Sequence, residues 1–102
     1  MRALVLTAVI ALALFAAGSC QDVPPLYPSS APDDIKQACA VTERKCTACH
    51  ERDRIVYANH NVREWQATVE RMRTYPASAM TAADTQVIMR CLSYNADQSV
   101  SR

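Results

Sequence analysis

Cys46-Thr47-Ala48-Cys49-His50 sets two thiols three positions apart, with an imidazole directly after the second. The chain on either side of this pentapeptide reads as helix. Upstream, Ile35, Cys39, Thr42 and Cys46 recur at helical spacing and make one inward face. That helix is expected to start near Ser30 or Asp33, with Pro32 in its first turn and Asp33 and Asp34 suiting the positive helix end. Downstream, Asn61 is a cap with Glu64 three residues on, and Trp65, Val69 and Met72 follow at i, i+4 and i+7. Pro76 should end this second helix, because the helix interior does not tolerate the ring. A third helix is expected to begin at a Thr81 cap with Asp84 three residues later, and to turn Val87, Ile88, Cys91 and Leu92 inward. It should fade after Tyr94-Asn95, leaving 97–102 as a frayed tail. No strand-like alternation of useful length interrupts this pattern, so the expected class is all-α.

The spacing of the pentapeptide carries chemistry. Cys-x-x-Cys-His is the attachment sequence of c-type haem. Its two sulfurs add to the vinyl groups as thioethers, and the adjacent His50 falls beneath the iron as proximal ligand. A CxxC pair also serves as a redox dithiol or as half of a zinc site. Zinc needs further ligands, and His60 is the other histidine in the chain. A redox dithiol normally follows a strand in a βαβ pattern, which is missing. One covalent haem c is therefore the expected cofactor, with a thiol–disulfide or zinc protein as the rival.

The first nineteen residues have a short basic start, an apolar run from Ala3 to Ala17 and then Gly18-Ser19, the form of a secretory signal. Ala17-Gly18-Ser19-Cys20 resembles a bacterial lipobox, in which the cysteine is lipidated and becomes the new N-terminus. That implies a periplasmic lipoprotein anchored at Cys20; ordinary cleavage after Gly18 or Ser19 would instead leave a soluble periplasmic protein. Residues 20–32 contain four prolines and read either as an extended tether or as an irregular arm packed through Leu26 and Tyr27. About 80 residues remain after the signal, too few to bury a comfortable core without a staple. The formal net charge of +1 gives no electrostatic case for nucleic acid.

Over about Asp33 to Tyr94 the chain resembles the monohaem class I cytochromes c: a helix before the motif, the motif, and a final helix. It also looks like a shorter variety of haem domain found in periplasmic dehydrogenase assemblies, which carries a Trp-x-x-x-Val-x-Arg-Met run, here Trp65-Gln66-Ala67-Thr68-Val69-Glu70-Arg71-Met72. The resemblance implies a compact domain of three to four helices over 33–96 around one covalent haem, its first and last helices crossing. It brings Cys39, on the first helix, near Cys91, on the last, and so implies a disulfide; two buried free thiols are the alternative. The chain departs from common class I members in lacking the Gly-Pro and Met-Pro elements of their distal loop.

Four side chains compete for the sixth iron position. Met72 fills the family position on a helical face, although a methionine there is also ordinary core. Met80 sits in the link before the last helix, Met89 lies off the inward face, and His60 is only ten residues past His50. Met72 is the preferred distal ligand and Met80 the alternative. Arg54 and Arg63 are candidate partners for haem propionates, and Trp65 a core aromatic against the haem. The expected function is electron carriage between redox partners such as a periplasmic dehydrogenase or oxidase, without catalysis by the chain itself. A gas-binding or sensing haem protein with an open sixth site is the alternative.

Overall fold

The computed structural model describes residues 23–100, and Val100 by its backbone alone. The signal at 1–19, the lipidation candidate Cys20 and residues 101–102 lie outside the described residues. Among those described there is no strand, and the all-α class holds. The helices are α1 (Asp33–Cys46), α2 (Asp53–Val56), α3 (Val62–Arg73) and α4 (Ala82–Val100), with a 3-10 turn at Pro76–Ser78. None of them is long and apolar enough to cross a membrane.

Each long helix starts where local chemistry lets it. Pro32 sits one position ahead of the first turn of α1, its carbonyl accepting from the Lys36 N–H at 3.0 Å. A full capping box opens α3: Asn61 Oδ1 accepts from the Glu64 N–H at 2.9 Å, and Glu64 Oε2 accepts from the Asn61 N–H at 2.8 Å. The start of α4 repeats the device, with Thr81 Oγ1 accepting from the Asp84 N–H and Asp84 Oδ2 accepting from the Thr81 N–H. The α3 helix stops before Pro76, whose fixed φ then starts the 3-10 turn. That turn ends on Ala79 in the left-handed region, at φ 49° and ψ 29°.

The core has two clusters with α4 between them. Leu26, Ala31, Ile35, Ala38, Cys39 and Cys91 form one, against α1 and the N-terminal arm. Trp65, Val69, Ile88, Leu92 and Ala96 form the other, against α3. Ile55 of α2 packs on both. One row of α4, Val87, Cys91 and Tyr94, serves the first cluster; the adjacent row, Ile88, Leu92 and Ala96, serves the second. A helix covered on two sides needs two such rows. A disulfide joins Cys39 to Cys91, both fully buried, across a Cα–Cα distance of 5.0 Å. Thr42 is the buried polar residue beside it, and its hydroxyl is satisfied by the Ala38 carbonyl one turn back, at 2.9 Å.

One open alternative is decided and one expectation changes. The described part of the 20–32 stretch is a packed arm, not a free tether. Leu26 and Ala31 are buried, the Asn95 side-chain amide donates to the Leu26 carbonyl, and Arg52 Nη2 donates to the Val23 carbonyl. Prolines that lack a donor can lie on a core without leaving a buried N–H unpaired. The last helix also does not fade at Asn95. It runs to Val100, because Ala96 continues the Ile88–Leu92 row by one more turn and is buried against α3.

Candidate functional site

The pentapeptide closes the end of α1. Thr47 still donates its N–H to the Glu43 carbonyl at 2.9 Å, and its hydroxyl reaches the same oxygen. Beyond it the Cys46 carbonyl accepts from both the Cys49 N–H, at 3.4 Å, and the His50 N–H, at 3.2 Å. One discontinued turn thus folds Cys49 and His50 back beside Cys46. Arg52, two residues on, fixes the far end of this loop. Its guanidinium bonds Glu43 Oε1 of α1 at 2.8 Å as well as the arm at Val23.

A cavity of about 250 Å³ opens against this turn. Cys46, Cys49 and His50 line it from the α1 side, and Met72 and Met80 line it from the end of α3 and the following link. Ile55, Trp65, Val69, Ile88 and Leu92 make most of the remaining wall apolar. His60 also lines it, edge-on to Trp65 with ring centroids 4.7 Å apart. The expected site residues Cys46, Cys49, His50, Trp65, Arg54, Met72 and Met80 are therefore all brought together.

Arg63 is not among them. It is exposed and absent from the lining, because roughly 100° per residue sets it about 200° around α3 from Trp65. Arg71, beside Met72, lines the cavity in its place, and so does Lys45. Lys45 Nζ pairs with Asp84 Oδ2 at 3.3 Å, tying the end of α1 to the start of α4. Arg54 approaches His50 Nδ1 with Nη1 at 3.5 Å. Met89 is half-buried against the α3 side of the core and does not line the cavity. Arg71 stands beside Met72 and Lys45 beside Cys46, so adjacency in sequence was a usable signal for both.

The thiols of Cys46 and Cys49 are free, Cys49 exposed and Cys46 half-buried. Burial pushes the Cys46 thiol pKa up. Redox-active dithiols need the opposite shift, since the thiolate is the nucleophile. Among the described residues no three His, Cys, Asp or Glu side chains gather closely enough to hold a metal ion by themselves. The donor set suits a group that brings its own equatorial ligands and needs only one or two axial ones. Two thiols at one rim, an imidazole, two thioethers and an apolar wall match the chemistry that an iron porphyrin attached at its edge requires, and a cavity of about 250 Å³ would enclose only part of it.

The chain matches no protein-family model, no curated protein and no solved structure.

Proposed function

We propose that this protein is an exported monohaem c-type cytochrome that carries single electrons between redox partners. One observation carries the reading: the two thiols and the imidazole of the pentapeptide converge with two methionine thioethers on one largely apolar cavity. Haem bound there supplies a one-electron iron couple. Cys46 and Cys49 hold it as thioethers, and His50 takes the proximal position. Met72 is the preferred distal ligand, with Met80 as the alternative; either thioether would raise the potential relative to a second imidazole.

The rest of the chain supports that task. Ile55, Trp65, Val69, Ile88 and Leu92 give the cavity an apolar wall for the porphyrin face to pack on. Arg54, Arg71 and Lys45 offer cations to the propionate carboxylates. The bridged pairing of α1 with α4 supports the likeness to the crossing first and last helices of class I cytochromes. Cys49 is exposed, so the edge of a haem attached there would meet solvent and a partner would need only a small transient contact. A periplasmic dehydrogenase or oxidase is the expected partner class, and a lipid on Cys20 would keep the domain near the membrane.

The test is the visible spectrum of the full chain produced in cells that have haem-attachment machinery. The expected result is one covalently held haem with a low-spin, six-coordinate spectrum in both oxidation states. A colourless protein under those conditions would overturn the proposal. Rapid binding of carbon monoxide by the reduced wild type would move it to the gas-binding class.

A further inference from the structure

A second recess, of about 760 Å³, lies among the N-terminal arm, the 57–60 loop and the last turns of α4. Its size falls within the range of small-molecule sites, about 300–1,000 Å³. Charged residues make up 21% of the chain, yet the described lining of this recess holds no Asp, Glu, Lys or Arg. A phosphate, carboxylate or ammonium ligand would find no carboxylate, ammonium or guanidinium counter-charge there. Four flat rings line it instead: Tyr27, Tyr57, His60 and Trp65. Such rings receive another ring by offset or edge-on stacking. Asn59 and Gln98 add side-chain amides that can donate to or accept from ring oxygens.

The recess does not stand apart from the first cavity. Ile55, Ala58, His60, Trp65 and Leu92 line both, so one layer of side chains belongs to the two together. The arm that forms its other side continues back to Cys20, four residues before Pro24. At about 3.6 Å per residue or less, a lipid on Cys20 would hold the rim within roughly 15 Å of its attachment point.

We propose that this recess binds a small uncharged ring bearing hydroxyl or carbonyl oxygens, of the hydroquinone–quinone class. The binding is inferred from the lining alone. The choice of a redox-active ring over an inert one rests on the proposed function, through the wall shared with the cysteine cavity.

The probes are tetramethylhydroquinone and tetramethylbenzoquinone, whose fully substituted rings have no free position for a thiol to attack. Each is titrated into the full-length holoprotein, and into the cofactor-free full chain, while amide and indole NMR shifts are followed. Saturable shifts confined to residues 24–29, 55–60, Trp65, Leu92 and 95–99 are expected. Tyr57→Ala, which removes an exposed ring, and Gln98→Lys, which adds a charge to the lining, should each weaken binding at least tenfold. Neither position lies in the core, so both variants should fold. Shifts that do not saturate, shifts elsewhere, or unchanged affinity in both variants would overturn the proposal. Attached haem without ring binding sinks this inference alone; ring binding without any attached haem sinks the proposed function and with it the choice of a redox-active ring, and leaves the ring site itself standing.

Discussion

Replacing both bridged cysteines, as Cys39→Ala with Cys91→Ala, should cost this domain a large share of its stability. The two lie 52 residues apart in sequence, and both are fully buried where α1 meets α4. The chain-entropy relation for a loop of that length gives about 4 kcal/mol at 25 °C. A domain of about 80 residues has only roughly 4–12 kcal/mol in total. For a domain of this size each kcal/mol moves the melting temperature by about 4–8 °C, so the expected fall is roughly 16–32 °C. Thermal unfolding of the full chain, followed by far-ultraviolet circular dichroism, measures it. Reduced wild type is the companion sample, because it breaks the bridge but keeps both sulfur atoms in place. It should lose most of the same stability, and the remainder of the variant's loss reports the missing sulfur packing. A fall of less than about 5 °C in both samples, little more than about 1 kcal/mol, would refute the reasoning. It would mean that the Ile35, Ala38 and Leu26 contacts hold the α1–α4 pairing without a staple.

Three further outcomes follow from individual residues. Ala79→Gly should stabilise the domain by up to about 1 kcal/mol in denaturant unfolding, since a left-handed alanine costs about 1–2 kcal/mol and glycine returns part of that as extra unfolded-state freedom; a loss of stability would show that the Ala79 methyl has packing value. The Thr81 N–H, with the Thr81 hydroxyl and Lys45 as lesser contributors, holds the Asp84 carboxyl below its ordinary pKa of 3.8. Because the folded value is depressed, the contribution is complete well above pH 3.8 and is lost as pH falls through the lower folded value. Asp84→Asn should therefore flatten the acid limb of the stability–pH curve below about pH 4, and an unchanged limb would remove Asp84 from the account. Under the proposed function, Met72→Ala should open the reduced iron to rapid carbon monoxide binding while Met80→Ala leaves it closed. The reverse pattern would move the ligand to Met80, and no effect from either would exclude both.

Much of the frame was legible in local sequence, and the reasons are physical. Helix caps are read from residues three apart, so the Asn61–Glu64 and Thr81–Asp84 boxes stood out before any tertiary contact was known. The row Ile35, Cys39 and Thr42 declared its buried face through spacing alone, as did Trp65 and Val69. The arm was ambiguous because four prolines suit a free tether and a packed strap equally; what decides is a contact with Asn95, sixty-nine residues away in sequence. The end of α4 was misjudged because polar Asn95 and Asp97 flank Ala96, and a single small residue carries little periodic signal. The four residues of α2 are too few to show any period. Within the site, residues fixed by the motif or by the Trp65–Met72 face were found. Lys45 and Arg71 were not, because a cation at a cavity rim has no sequence mark apart from its neighbours. Arg63 does not line the cavity, because it lies about 200° around α3 from Trp65, and a position around a helix is not read from distance along the chain.

The central claim is covalent attachment through Cys46 and Cys49. Intact mass spectrometry of the full chain, made in cells with haem-attachment machinery and denatured before measurement, tests it most directly. The account predicts the polypeptide plus the mass of one haem, and no such addition in the Cys46→Ala, Cys49→Ala double variant. A wild-type mass equal to the bare polypeptide, with Cys46 and Cys49 present as thiols or joined to each other, would contradict it.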